Sequence, residues 1–295
     1  MRNKLWLILP AALSCILTSA QPAPSTAYLD ILKKGRAYDT IQADHFPAFT
    51  YQSSADADLT ELRNFYHLDS VAGHGTDISR AINLLQWMHL AVPHEDEYNL
   101  PVLTARNIIK TYKEKHIAQG CYPLAIAMNE IFLSMGFHSR IVICFAASFD
   151  NPNGGHVINS VYIPSLRKSL WMDPQFNVFL KDGAGNFLSI AEVRENLIAG
   201  KKVNLNKNAN YHGKSTTAKY YLEEFMTEHL YRFISPLESK YNGETRAPGK
   251  TQTYLELIPK GGAAPSFGTF ETHTDKNGSV KTYHTTNAAL FWKTP

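Results

Sequence analysis

Cys121, His156 and Asp173 have the residue types that nucleophilic acyl chemistry needs, and neighbours that suit them to it. A thiol attacks a carbonyl carbon as the thiolate, so a catalytic cysteine needs a locally positive field, a nearby base and a group that orients that base. Cys121 stands at the predicted start of a helix, with Pro123 in the first turn, where its missing N–H costs nothing. The positive end of a helix favours an anion by roughly 0.3–1 kcal/mol, more when partly buried. The unpaired backbone amide of Cys121 is a candidate oxyanion donor. Gly120, just before it, is expected to let the chain turn sharply into the helix.

Residues 156–163 and 168–172 read as two strands joined by a turn at 164–167. A turn centred between Ser165 and Leu166 pairs Ile163 with Lys168 and sets Ile158 opposite Asp173. His156 then projects from the same face as Asp173, as its diagonal neighbour, and a carboxylate there can hold an imidazole. The remaining requirement is that the helix bearing Cys121 pack against this face. Cys144, inside the apolar strand 140–145, reads as a core thiol.

The elements around these residues follow from periodicity. Residues 58–66 form a short amphipathic pattern. After Thr76 or Asp77 as a cap, Ile78, Ala81, Ile82, Leu85 and Met88 recur at helical steps. Residues 105–115 are helical. Beyond Cys121, Leu124, Ala127 or Met128, Ile131 and Met135 mark a further helix that Gly136 stops. Helices at 191–198 and 218–230, a polar loop at 201–215, and strands at 231–237, 253–258 and 280–284 are expected downstream. Helices followed by strands make an α+β fold. The chain divides into a leader (1–20), an irregular N-terminal segment (21–58), a catalytic core (59–182) and a C-terminal α/β extension packed on the core (183–295).

Gln119-Gly120-Cys121-Tyr122, then His156-Val157-Ile158-Asn159-Ser160-Val161-Tyr162, then Trp171-Met172-Asp173-Pro174, together resemble the three signature blocks of the transglutaminase-like superfamily. The segment Leu84-Leu85-Gln86-Trp87-Met88-His89 is similar to the one preceding the nucleophile helix in bacterial members. The resemblance spans residues 60–180. It implies a papain-like core in which the helix that starts at the nucleophile packs on an antiparallel sheet. It makes Cys121 the nucleophile, His156 the acid/base and Asp173 the orienter. Gln119, Gly120, Tyr122, Trp171, Trp87 and Gln86 are candidates for shaping the site or its oxyanion pocket. Crosslinking members commonly carry Trp where Tyr122 stands, and the blocks are shared by proteases, amide hydrolases and acyltransferases. The expected function is a cysteine enzyme acting on amide bonds of peptides or proteins through a thioester, with hydrolysis and acyl transfer both open. The alternative is a catalytically idle envelope module that grips peptide or glycan on the same fold.

The composition narrows the partners. A net charge of +3 over 295 residues, without clusters of Lys and Arg, does not suit a nucleic-acid partner. His89 and His94 are five apart, and no His-Glu-x-x-His or paired-Cys spacing exists, so neither metal nor cofactor is expected. Gly154-Gly155 and Gly261-Gly262 read as turns. Arg2 and Lys4, the apolar run 5–17 and Thr18-Ser19-Ala20 together read as a secretory signal cleaved after Ala20. The run falls short of the roughly 20 apolar residues that span a bilayer. Export to periplasm, surface or medium is expected, with no transmembrane span in the mature chain. Ala12-Leu13-Ser14-Cys15 loosely resembles a lipoprotein box and offers lipidated Cys15 as a lesser alternative. Only Cys121 and Cys144 then remain, too few for a disulfide framework.

Overall fold

The computed structural model describes residues 24–39, 47–95, 100–148, 155–260 and 270–295. The expected leader (1–20), Cys15, Gly154 and the turn expected at Gly261-Gly262 lie outside them. Eight α-helices are described: α1 (Pro24–Lys34), α2 (Ala57–Phe65), α3 (Leu68–Ala72), α4 (Asp77–Ala91), α5 (Ala105–Lys115), α6 (Cys121–Ser134), α7 (Ile190–Ile198) and α8 (Ala288–Phe291). Their starts follow capping chemistry. The Thr76 hydroxyl accepts from the Ser79 amide, Thr104 accepts from Asn107, and Ser189 and Glu192 close a reciprocal capping box. No helix among the described residues is long and apolar enough to cross a membrane.

One sheet organises the molecule. Its strands are β1 (Ser139–Phe145), β2 (Gly155–Ile163), β3 (Lys168–Met172), β4 (Arg232–Pro236), β5 (Thr251–Leu257), β6 (Phe270–Asp275) and β7 (Gly278–Thr285), in the spatial order β6-β7-β5-β4-β1-β2-β3. The expected antiparallel arrangement holds for β1, β2 and β3, but β5 runs parallel to β7, so the sheet as a whole is mixed. β2 and β3 pair in the expected register, Ile163 opposite Lys168 and Asn159 opposite Met172.

Alternation along the strands separates two apolar cores. Ile141, Val157, Val161, Ile163, Leu170 and Met172 face a layer built from α2 to α6. α6 is apolar all round and buried along most of its length, with α2, α4 and α5 packed about it. Val142, Cys144, Ile158 and Trp171 point the other way, into a second core with Leu32, Tyr221, Leu230, Phe233, Leu255 and Phe291.

The C-terminal segment does more than pack on the core. Its strands β4 to β7 extend the same sheet beyond β1. Nor is the N-terminal segment wholly irregular. α1 buries Leu32 in the second core, and Thr50–Tyr51 pairs in parallel with Glu238–Ser239. The helix expected at 218–230 is a π-helical stretch, Lys219–Phe225, followed by a 3₁₀ turn, Met226–His229.

Candidate active site

β2 begins and β3 stops at the same end of the sheet, and there His156 meets Asp173. His156 Nε2 lies 2.8 Å from Asp173 Oδ2, with both side chains almost fully buried. Gly155 makes this junction tight. A Cβ on it would stand 2.9 Å from the Cys144 carbonyl oxygen and from the Phe145 ring, so only glycine lets β1 and β2 close next to His156. Asp173 also folds the turn that follows it. Its Oδ1 accepts from the backbone amides of Gln175 (2.9 Å) and Phe176 (3.3 Å), and its backbone pairs with Val178.

The Cys121 thiol lies close enough to the His156 imidazole to help hold its proton. Nε2 is engaged by Asp173, which leaves Nδ1 for the sulfur. The route by which Cys121 arrives differs from the expected one. The body of α6 packs on the face of the sheet carrying Val157 and Val161, where the Asn159 side chain donates to the Ala125 carbonyl. His156 projects from the opposite face, among Phe176 and Phe225. The helix tip, at the end of the sheet, brings the sulfur to the imidazole. Cys121 itself is partly exposed and Cys144 is buried; both are free thiols.

The tip of α6 carries no side-chain cap. The amides of Cys121 and Tyr122 are therefore available there, at the positive end of the helix. Gly120 has φ −68° and ψ 171°, an extended conformation any residue adopts, and a Cβ on it would find its nearest neighbours at 3.8 Å. The sharp turn expected of it is absent.

The remaining site-shaping candidates divide. Gln119 is fully buried, and its amide donates to the Ile117 carbonyl, so it braces the entry to α6. The Tyr122 hydroxyl donates to Glu244, which also accepts from Tyr254. Trp87 lies in the helical layer with its ring against Tyr66. Trp171 is buried behind Asp173 and donates through Nε1 to the Tyr221 hydroxyl at 3.0 Å.

Tyr221 escaped the sequence reading. Its hydroxyl lies 2.6 Å from Asp173 Oδ2, the oxygen that His156 uses. Phe225, on the same π-helical stretch, sets its ring edge-on to His156 at 5.0 Å. His89 is a second supporting residue. From the last turn of α4 it reaches the Pro174 carbonyl through Nδ1 and Asn210 Oδ1 through Nε2, both at 3.0 Å. His94 contacts the Tyr211 hydroxyl, so neither histidine is idle. Two adjacent tyrosines in a polar stretch gave no local signal, because what marks Tyr221 is a partner 48 positions away.

Burial alone pushes His156 down. The Asp173 carboxylate and its hydrogen bond, helped by Cys121, override this and raise it to about 10. The imidazole is thus held as the imidazolium at neutral pH, next to a sulfur at a helix tip. Burial, Asp173 and Cys121 push Cys144 well above an ordinary thiol, which makes it inert. Burial, then Asp173, raises Tyr221 well above an ordinary phenol, so its hydroxyl keeps its proton and donates.

Neither a protein-family profile nor a curated protein sequence matches this chain. Among solved structures it is similar to a candidate cysteine protease from Cytophaga hutchinsonii, at 13% identity and a TM-score of 0.33, over 58% of each chain. So loose a superposition carries no weight for the fold or the chemistry, and the site stands on its own geometry.

Proposed function

We propose that this chain is an exported cysteine enzyme that cleaves amide bonds in peptides or proteins through a Cys121–His156–Asp173 triad. The observation that carries this reading is an imidazole held between a buried carboxylate and a partly exposed thiol at an uncapped helix tip. The three sequence blocks that resemble the transglutaminase-like superfamily supply these same residues. The Cys121 thiolate attacks the substrate carbonyl carbon, forming a C–S bond and an oxyanion that the tip amides of α6 receive. His156 gives its proton to the departing amine as the C–N bond breaks, which leaves a thioester. Neutral His156 then takes a proton from water as the water oxygen attacks. The C–S bond breaks, releasing the carboxylic acid and restoring the thiolate beside the imidazolium. Asp173 holds the ring throughout. Water is the acceptor in this reading.

Iodoacetamide tests the nucleophile without knowledge of the substrate. Cys121 is expected to alkylate at pH 6 at least about tenfold faster than an ordinary thiol with a pKa near 8.5, and Cys121→Ala to abolish the labelling. Ordinary reactivity at Cys121 would favour an idle binding module instead. Export is tested by the mass of the mature N-terminus, with cleavage after Ala20 expected and a lipid on Cys15 refuting that site.

A further inference from the structure

The second oxygen of the triad carboxylate is shared. Asp173 Oδ2 receives His156 Nε2 at 2.8 Å and the Tyr221 hydroxyl at 2.6 Å, while Oδ1 is filled by two backbone amides. The direction of each bond is fixed by chemistry. An indole N–H only donates, so Trp171 Nε1 donates to the Tyr221 oxygen, and the Tyr221 proton turns to Asp173. Hydrogen bonds in such a chain polarise one another, which makes Tyr221 a stronger donor than an isolated phenol. Tyr221 is itself held in place. It is fully buried, packs edge-on to Trp171 and Phe176, and sits in the π-helical stretch whose Phe225 flanks His156. π-Helical turns are rare and concentrate at functional sites.

We propose that Tyr221 is a positioning residue of the reaction: backed by Trp171, its hydroxyl fixes the Asp173 carboxylate so that His156 stays aimed at Cys121. The residue therefore acts through Asp173 and touches neither substrate nor sulfur. The catalytic unit becomes a chain of five side chains, Trp171, Tyr221, Asp173, His156 and Cys121, the second supplied from beyond residue 182. The role rests on the triad reading above, but the geometry of the Asp173–His156 pair can be tested apart from it.

The test compares the full chain with Tyr221→Phe, which keeps the ring and removes only the donor. Two quantities are read: the titration of the His156 imidazole by NMR, and the rate of Cys121 alkylation by iodoacetamide against pH. Without Tyr221 the carboxylate turns more freely and supports the imidazolium less. The His156 titration is expected to fall by about one unit, and alkylation at pH 6 to slow by about tenfold. Circular dichroism and thermal unfolding show whether the variant keeps its fold. Trp171→Phe, which removes the donor behind Tyr221 together with part of the buried ring, is expected to shift both readouts in the same direction by less, and it carries the test if Tyr221→Phe does not fold. A His156 titration unchanged in the variants overturns the proposal. If wild-type Cys121 alkylates like an ordinary thiol, the enzymatic reading fails, and the imidazole titration still decides whether Tyr221 positions Asp173.

Discussion

Asp173 serves two masters with its two oxygens. One closes a backbone turn and the other holds the imidazole, so the side chain is at once structural and chemical. Asp173→Asn separates the roles. An amide can accept from the turn through its oxygen, but its NH2 then faces His156 and offers a donor to a donor. The imidazole takes the wrong tautomer, and Cys121-dependent turnover is expected to fall by about 10³–10⁴ while the fold persists, judged by circular dichroism and active-site titration. The pH dependence of stability changes too. In the native chain His156 is raised from 6.5 to about 10, so its stabilising contribution is complete below about 6.5 and is lost as pH rises through about 10. In Asp173→Asn that alkaline loss should disappear from urea unfolding measured between pH 6 and 10. At this scale much was legible. The register of two strands about one turn sufficed to place His156 beside Asp173, because the turn is short and the side-chain period is two. Tyr221 was not legible, because nothing in its own neighbourhood encodes a partner across the second core.

The helix that presents Cys121 carries a buried acid two and a half turns along. Glu130 Oε2 accepts from the Ala105 amide (2.6 Å), at the start of α5, and Oε1 accepts from the Asn242 amide (2.8 Å). It thus ties α6 to α5 and to the C-terminal segment. Burial pushes Glu130 up from 4.5 to about 8, against the pull of those two amides. A carboxyl raised on folding binds its proton more tightly in the native state. Its contribution is therefore complete below about pH 4.5 and is lost as pH rises through about 8, at about 1.4 kcal/mol for each unit of separation. Glu130→Gln removes the titrating group, and unfolding free energy measured from pH 5 to 8.5 should fall less steeply than in the native chain; an unchanged slope would place the titration elsewhere. The start of α4 was readable from Thr76 because a cap is a local bond. The face on which α6 packs was not readable. Its apolar residues run all round, so no stripe points to a side, and the expected contact with the His156 face proved to be made by the helix tip alone.

For the whole molecule the boundary expected at residue 183 has no counterpart in the sheet. β4 pairs directly with β1, Ile143 opposite Ile234 and Cys144 opposite Phe233, which makes β1 a central strand. The chain is less readable from Gly183 onward, which suggested an appendage, but strand pairing across ninety positions of sequence leaves no local trace. The second core is also joint property. Val142, Cys144, Ile158 and Trp171 come from before the boundary, and Tyr221, Leu230, Phe233, Leu255 and Phe291 from after it. A chain ending at residue 182 would leave β1 as an exposed apolar edge and open one whole face of the sheet to water. Such a fragment, 21–182, is expected to be insoluble or to exchange its β1 amides within minutes, and to show a His156 titration lowered by about one unit because Tyr221 no longer holds Asp173. Hydrogen exchange and the imidazole titration check both. A soluble fragment with slow exchange in β1 and an unaltered His156 would mean that residues 59–182 fold and arm the triad alone, and that the strands after residue 183 merely extend a finished domain.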